Sequence, residues 1–498
     1  MLQTKENASK ESKKVSRKPG TKPVKKGVSK ASHDIVNPPA LLDFMMQGWK
    51  EPSRKLPAKV KGAEEFAARR KRLSGSFKGE TLVIPTGHEK VRANDTNYRF
   101  RPGTDFFYLT GNNEADCVLV LAPKGRSGHT GILFVEPNPG RSEPTFFTDR
   151  HKGELWVGPR LGIEQSRHRY QIEECRPLGE LKAFLKELKA SRKYRVVRGI
   201  DEVVDRLLPR LKEEDKELSA VLSELRLIKN AGELRAIKKA CEVTLRGFED
   251  IIAALPAAGN ERDVEAAFSR RARVEGNDVG YNIIAASGAN ACILHWGENN
   301  ARLNKREMLL VDAGVESHEL YTADITRTLP MSGKFSKEQR EIYDLVQDAQ
   351  EAAFAAVKPG NMFLDPHWAA MRVLAEGLER LKLLPCSAEE ALKPENQFYK
   401  RFTLHGTSHM LGMDVHDCSH ARADFYRNGV LKPGMVLTIE PGLYFQNDDL
   451  TVPPRYRGIG VRIEDDVVVT TRGRRLLSAD IPRSSEDVER WMKEVWAC

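Results

Sequence analysis

Apolar residues recur at spacings of three and four through Leu234, Ile237, Cys241, Leu245, Phe248, Ile252 and Leu255, the stripe of an amphipathic helix. Asn230 stands where a cap belongs, Glu233 follows three residues later as in a capping box, and Pro256 marks the stop. Ser336 with Gln339 repeats the signature and predicts a second helix that stops before Pro359-Gly360. A third is predicted around His367–Leu381. Between and after these helices lie apolar, β-branched runs at Met308–Val311, Tyr321–Thr328, Met435–Ile439 and Val461–Thr470, which read as strands. The second half of the chain is thus expected to be α+β, with sheet segments that end in acidic residues.

The first half has shorter periods. A basic helix is predicted around Ala63–Leu73. Runs that read as strands follow at Thr81–Pro85, Phe106–Thr110, Cys117–Leu121 and Gly131–Val135, with turn signals such as Pro102-Gly103 and Pro139-Gly140 between them. A helix near Leu178–Leu188 and a strand at Tyr194–Ile200 complete the region. Strands alternating with helices predict an α/β domain up to about residue 225. Three parts result: a disordered basic tail at 1–37, an α/β domain at 38–225 and an α+β domain at 226–498.

Charge changes the picture only at the start. The 498 residues carry 80 Lys+Arg against 70 Asp+Glu, a net +10, which resembles a nucleic-acid binder until it is located. Residues 1–31 hold ten basic and two acidic residues, so +8 sits in the tail and the remainder is close to neutral. Such a tail cannot bury enough apolar surface to fold, and it reads as a solvated, dispensable extension. No specific nucleic-acid partner is expected. No apolar run approaches the roughly 20 residues that span a bilayer, and the start lacks a secretory signal's apolar core. Seven scattered cysteines, without a CxxC pair, fit free thiols in a reducing compartment, so a cytoplasmic location is expected.

Candidate chemistry lies in four runs of the second half. LLVDAGVESHELYTADITRT places Asp312 at the end of one apolar strand and Asp324 in the next; Asp312 alone could equally be a turn residue. LHGTSHMLGMDVHD holds His405, His409 and His416, with His420 beyond, and points to metal or acid–base work. Here His416 could instead be a surface histidine held by Asp414 or Asp417. MVLTIEPGLYF ends an apolar run on Glu440, and GIGVRIEDDVVV places Glu464 in the middle of a strand. A glutamate so embedded needs a partner: the neighbourhood of Arg462, a hydrogen-bond network or a cation. Taken jointly, four carboxylates and at least one imidazole suit two divalent cations of manganese, cobalt or zinc character and exclude soft copper or cluster sites.

The ordered set Asp312, Asp324, His409, Glu440 and Glu464 resembles the ligand signature of the pita-bread metallopeptidases. HGTSHMLGMDVHD, TIEPGLY and GIGVRIEDD are similar to Xaa-Pro aminopeptidase (aminopeptidase P), and CILHWGEN, with His295, matches that family's substrate-side histidine motif. NYRFRPGTDFFYLTG and GELWVGPRLG resemble its creatinase-like amino-terminal domain. The resemblance runs from about residue 55 to 485. It implies an α/β creatinase-like domain at 38–225 followed by a pita-bread catalytic domain at 226–498. Asp312 and Asp324 stand twelve apart, one more than the family spacing implies, and the extra residue is placed in the turn Glu316–Leu320.

The resemblance further implies two metal ions per chain, manganese first with cobalt or zinc as alternatives. Asp324 and Glu464 would bridge them, with Asp312 on one ion and His409 on the other. Glu440 would ligate and move protons, His416 or His295 would stabilise the oxyanion, and His405, Arg462 and Tyr444 would surround the proline. Peptides with proline in the second position are the implied partners, and a homo-oligomer, dimer or tetramer, is the implied assembly. Three rivals stand beside this reading. A prolidase would differ only in what blocks the far end of the site. A methionine aminopeptidase would lack the large amino-terminal domain. A non-catalytic binding module would have lost metal ligands.

Overall fold

Alternate residues of the strand Thr81–Pro85 serve two different cores. Leu82 and Ile84 join Leu119, Leu121 and Leu133 on one face of the sheet, inside the main core of the molecule. Val83 joins Val118, Val120, Ile132 and Phe134 on the other face, against Leu181 and Leu185 of the helix Leu178–Ser191. Burial on both faces explains why these strands read as unbroken apolar runs rather than alternating ones. The sheet has five strands in the order Glu174–Pro177, Gly128–Val135, Val118–Lys124, Thr81–Pro85, Tyr194–Val196. The inner pairs are antiparallel, with Val83 opposite Val120 and Val120 opposite Ile132, and the two edge strands pair parallel.

The computed structural model describes residues 37–50, 55–125, 128–138 and 140–497, so the expected basic tail lies, Asn37 apart, outside the described residues. Described residues within 1–53 and 139–159 form one compact unit, and those within 54–138 and 160–498 form the other. In the smaller unit the Arg141 guanidinium stacks 4.2 Å from the Trp49 ring, and Phe146 meets Phe147 edge-on.

Four strand expectations need correction, the first being Tyr194–Ile200, whose strand is only Tyr194–Val196. Phe106–Thr110 is not a strand but most of the helix Thr104–Thr110, closed by Gly111 in the left-handed region at φ 66. Phe106 to Thr110 are all buried, and an apolar run that is covered on every side looks the same in helix and strand. Tyr321–Thr328 contains a strand only from Ile325, so Asp324 precedes the strand rather than sitting in it. Val461–Thr470 is two strands, Gly460–Arg462 and Asp465–Thr470, which belong to different sheets. Glu464 therefore lies at the break between sheets, not in the middle of a strand.

In the second half the predicted caps form. Asn230 and Glu233 close a capping box on the helix Ala231–Ala254, and Ser336 with Gln339 does so on Lys337–Ala356. The third predicted helix spans Asp365–Arg380. Four small sheets lie among these helices: Ile325–Pro330 with Met308–Ala313 and Ile284–Ser287; Val315–Glu316 with Asp278–Val279; Val436–Ile439 with Asp465–Thr470 and Gly473–Leu476; and Gly442–Tyr444 with Gly460–Arg462. The turn expected to absorb an extra residue closes on itself. Leu320 N donates to Ser317 O, Ser317 N donates to Tyr321 O, and Leu320 takes the left-handed region at φ 61. Register resumes beyond it, with Asp312 opposite Thr326.

Candidate metal and active site

Each acidic candidate sits where a strand gives out. Asp312 is the penultimate residue of Met308–Ala313, Asp324 directly precedes Ile325–Pro330, Glu440 directly follows Val436–Ile439, and Glu464 occupies the break described above. Strand ends release the side chain from the alternation of the sheet while the ladder still fixes the backbone. All four carboxylates, with His409, line one cavity of about 760 Å³. Ligating atoms of Asp324, His409 and Glu464 lie within 4.8 Å of one another. His409 Nε2 is 3.3 Å from Asp324 Oδ2 and 3.5 Å from Glu440 Oε1.

The electrostatics of this cluster suit added positive charge. Burial, compounded by Asp324, Glu440 and Asp312, pushes the Glu464 carboxyl well above its usual range. Burial likewise pushes Glu440 up to about 7, against the opposing pull of His409 and Arg462. Asp312 is also raised by burial, with Arg462 opposing and Asp324 adding. Burial disfavours the His409 cation, yet its hydrogen bond to Asp324 and the Glu440 charge outweigh that and raise it to about 9. Three buried carboxylates and the half-buried Glu440, set against the Arg462 and His409 cations, fit divalent ions bound through oxygen and one imidazole.

Of the partners expected for Glu464, the hydrogen bond is present. Thr326 Oγ1 donates to Glu464 Oε2 at 2.7 Å. Arg462 is committed elsewhere: Nη2 donates to Asp312 Oδ2 at 2.6 Å and Nη1 to Tyr444 Oη at 3.1 Å. Tyr444 Oη in turn lies 2.8 Å from His405 Nε2. Burial, then the Arg462 charge, lowers His405 to about 4, so it is a neutral imidazole near pH 7. Arg462, Tyr444 and His405 thus form one hydrogen-bonded chain, in which Arg462 and His405 line the cavity and Tyr444 is buried and does not.

His416 and His295 line the same cavity and are both exposed. The His416 ring stands 4.3 Å from the His409 ring, nearly perpendicular at 73°. The acids proposed to hold His416 are engaged elsewhere. Asp417 accepts from Arg226 Nε at 3.0 Å and Lys229 Nζ at 3.3 Å, and Asp414 Oδ1 accepts from Thr104 Oγ1 at 2.6 Å. Arg101 Nη2 donates to Met413 O at 2.6 Å. Residues of the amino-terminal region and of the helix Lys212–Arg226 therefore grip the loop that carries His416. His420, the fourth of the cluster, is exposed and does not line the cavity.

Several groups that orient these carboxylates carry no signal in the sequence. Tyr281 Oη donates to Asp312 Oδ1 at 2.7 Å. Arg327, fully buried, donates to Glu464 O at 2.7 Å, Thr326 O at 2.9 Å and Asp465 Oδ1 at 2.9 Å. Gln350 Nε2 reaches Ile439 O and Ile463 O, both at 3.1 Å, the carbonyls immediately before Glu440 and Glu464. One amide thus ties two glutamate-bearing segments together. Gln350→Leu takes one hydrogen bond from each of these buried acceptors and is expected to cost about 1–3 kcal/mol of stability. It should also weaken metal affinity by about 10–100-fold, the range for losing such an outer partner. Thermal unfolding and metal titration check the two effects separately.

Two family models match separate stretches of the chain. The model of metallopeptidase family M24 matches residues 235–471, and that of the aminopeptidase P N-terminal domain matches residues 66–197. Xaa-Pro aminopeptidase 1 of Streptomyces coelicolor is 49% identical over 456 residues, covering 91% of each chain. Xaa-Pro aminopeptidase of Escherichia coli is 33% identical, covering 86% of this chain and 97% of its own. Among solved structures, E. coli aminopeptidase P with the inhibitor Pro-Leu superposes with a TM-score of 0.78 at 30% identity, over 89% of this chain and all of the other. Pseudomonas aeruginosa aminopeptidase PepP gives 0.78 at 32% identity over the same shares.

Proposed function

The chain belongs to metallopeptidase family M24, among its Xaa-Pro aminopeptidases, and we propose that it releases the first residue of peptides whose second residue is proline. It is a metal-dependent hydrolase with an aminopeptidase P amino-terminal domain and a pita-bread catalytic domain. The observation that carries the reading is the convergence of Asp312, Asp324, His409, Glu440 and Glu464 in one cavity that His295, His405, His416 and Arg462 also line. The five would hold two divalent ions. Bound there, the ions supply hydroxide near neutral pH and a counter-charge for the oxyanion.

The chain's own groups supply the rest. Glu440, with its carboxyl raised to about 7, can accept the proton of the attacking water and pass it on to the leaving nitrogen. An Xaa-Pro bond has no N–H, so that nitrogen must be protonated from the enzyme side. His405 and Arg462, joined through the buried Tyr444, present neutral and cationic donors beside Glu440, and this side of the cavity is the proposed seat of the pyrrolidine ring. His416 and His295, which both line the cavity, are the proposed donors to the carbonyl oxygen as it gains charge.

Manganese is proposed as the ion, with cobalt or zinc as alternatives, because carboxylate oxygens outnumber the single imidazole. A dimer or tetramer and a cytoplasmic location complete the proposal. The first rests on the resemblance and the second on the free state of the six described cysteines. Among the described residues no helix is long and apolar enough to cross a membrane. The test is product analysis on three peptides: Xaa-Pro-Yaa, Xaa-Pro and Xaa-Ala-Yaa. Release of Xaa from the first and not the third is expected. Cleavage confined to the dipeptide would make the chain a prolidase.

A further inference from the structure

Glu261 is a charged side chain with no exposed surface, far in sequence from every residue discussed above as ligand or substrate contact. It opens the helix Glu261–Glu275, where Asn260 caps the amino terminus and the helix dipole favours an anion. Its two oxygens divide their work. Oε1 accepts from Ser287 N at 2.7 Å, Ser287 Oγ at 2.8 Å and Asn290 Nδ2 at 3.0 Å. Oε2 accepts from Trp296 Nε1 at 2.8 Å and Ala301 N at 2.9 Å. Burial favours the neutral acid, yet these donors outweigh it and hold the carboxyl below its usual range.

The five donors have a common property: all belong to the segment that leaves the strand Ile284–Ser287 and returns at Ala301. That strand pairs with the Asp312 strand, Ile284 standing opposite Asp312. The segment carries His295, immediately before Trp296. Asn299 makes a second tether, its Nδ2 donating to Ile283 O at 2.9 Å and its Oδ1 accepting from Ala285 N at 2.9 Å. The His295 ring itself points into the cavity and is exposed, so its position depends on how the segment is held.

We infer that Glu261 is a positioning residue for the reaction: its two carboxylate oxygens clamp the outgoing and returning ends of the 287–301 segment and so fix His295 against the substrate. The inference rests on the proposed role of His295 at the carbonyl. A carboxylate suits this task because it only accepts. Ser287, Asn290, Trp296 and Ala301 all present N–H or O–H groups, and an amide in its place would turn a donor toward one of the two ends. Loosening the clamp moves His295 without touching a metal ligand, and a displacement of about 1 Å can cost on the order of 10²-fold.

The test is a double-variant cycle on the metal-loaded full chain with an Xaa-Pro-Yaa peptide. His295→Ala and Glu261→Gln should each lower kcat/KM by about tenfold to a hundredfold, with two metal ions per chain retained. The combined variant should be no slower than His295→Ala alone, because the clamp has nothing left to position. The ¹⁵N-indole resonance of Trp296, identified by its loss in Trp296→Phe, should shift in Glu261→Gln. Losses that multiply in the combined variant would overturn the inference and leave the role of His295 standing. A silent His295→Ala would overturn that role, and the inference with it. Should Glu261→Gln fail to fold, Trp296→Phe enters the same cycle. Its smaller loss, about threefold to tenfold for one of two bonds to Oε2, should vanish on the His295→Ala background.

Discussion

Glu464→Gln is expected to lower kcat/KM by about 10⁴-fold or more, which is about 5.4 kcal/mol of transition-state stabilisation, and to lose metal with it. The side chain is buried at the break between two sheets, beside Asp324 and His409. Its proposed task is to bridge both ions, so no single remaining carboxylate replaces it. The substitution also makes a prediction about stability that a purely structural glutamate would not. A carboxyl raised above its unfolded value makes the fold hold its proton more tightly, so its contribution is greatest at low pH and falls as pH rises. An uncharged isostere removes that penalty, and the chelated variant should melt above the chelated wild type at pH 7.5. With metal the order should reverse, because binding at a hundredfold excess over Kd adds about 2.7 kcal/mol to wild type alone. Differential scanning calorimetry with and without chelator reads both arms.

His416→Ala is expected to lower the rate by about 10²–10³-fold while the metal content stays at the wild-type level. The ring faces the cavity, and its neighbours Asp414 and Asp417 are occupied by Thr104, Arg226 and Lys229, which leaves it available to the substrate. The loop is held from outside by those contacts, so removing the imidazole should leave the fold in place. Loss of one metal ion would mean that His409 and His416 have exchanged the roles proposed here. An unchanged rate would make His416 a surface histidine.

The parts of this fold that could be read from the chain are those governed by local chemistry. Asn230 with Glu233 and Ser336 with Gln339 cap their helices because a capping box needs only four consecutive residues. The acidic ends of apolar runs brought Asp312, Asp324, Glu440 and Glu464 to notice, since a carboxylate after such a run is expensive without a partner. Phe106–Thr110 was misread because full burial erases the difference between periods of 2 and 3.6. Glu464 was placed inside one long strand because the β-branched run continues through the break, and only pairing with different sheets reveals it.

Gln350 and Glu261 were invisible for another reason. Each sits on an amphipathic helix, where a polar residue reads as the solvent face. Their work depends on acceptors and donors supplied by segments 26 to 115 residues away. No local pattern records such partners. Tyr281 is a similar case, since it lies between the strands Asp278–Val279 and Ile284–Ser287 and its hydroxyl meets Asp312 only after the sheet has formed.

Asp312, Asp324, His409, Glu440 and Glu464 are proposed to form a single two-ion centre. Calorimetric titration of the chelated full chain with Mn²⁺, followed by peptide turnover on the same samples, tests it most directly. The account predicts two ions per chain in wild type, with turnover rising as they bind, and neither tight binding nor turnover in Glu464→Gln. Full turnover in the chelated protein, or two tightly bound ions in Glu464→Gln, would contradict it.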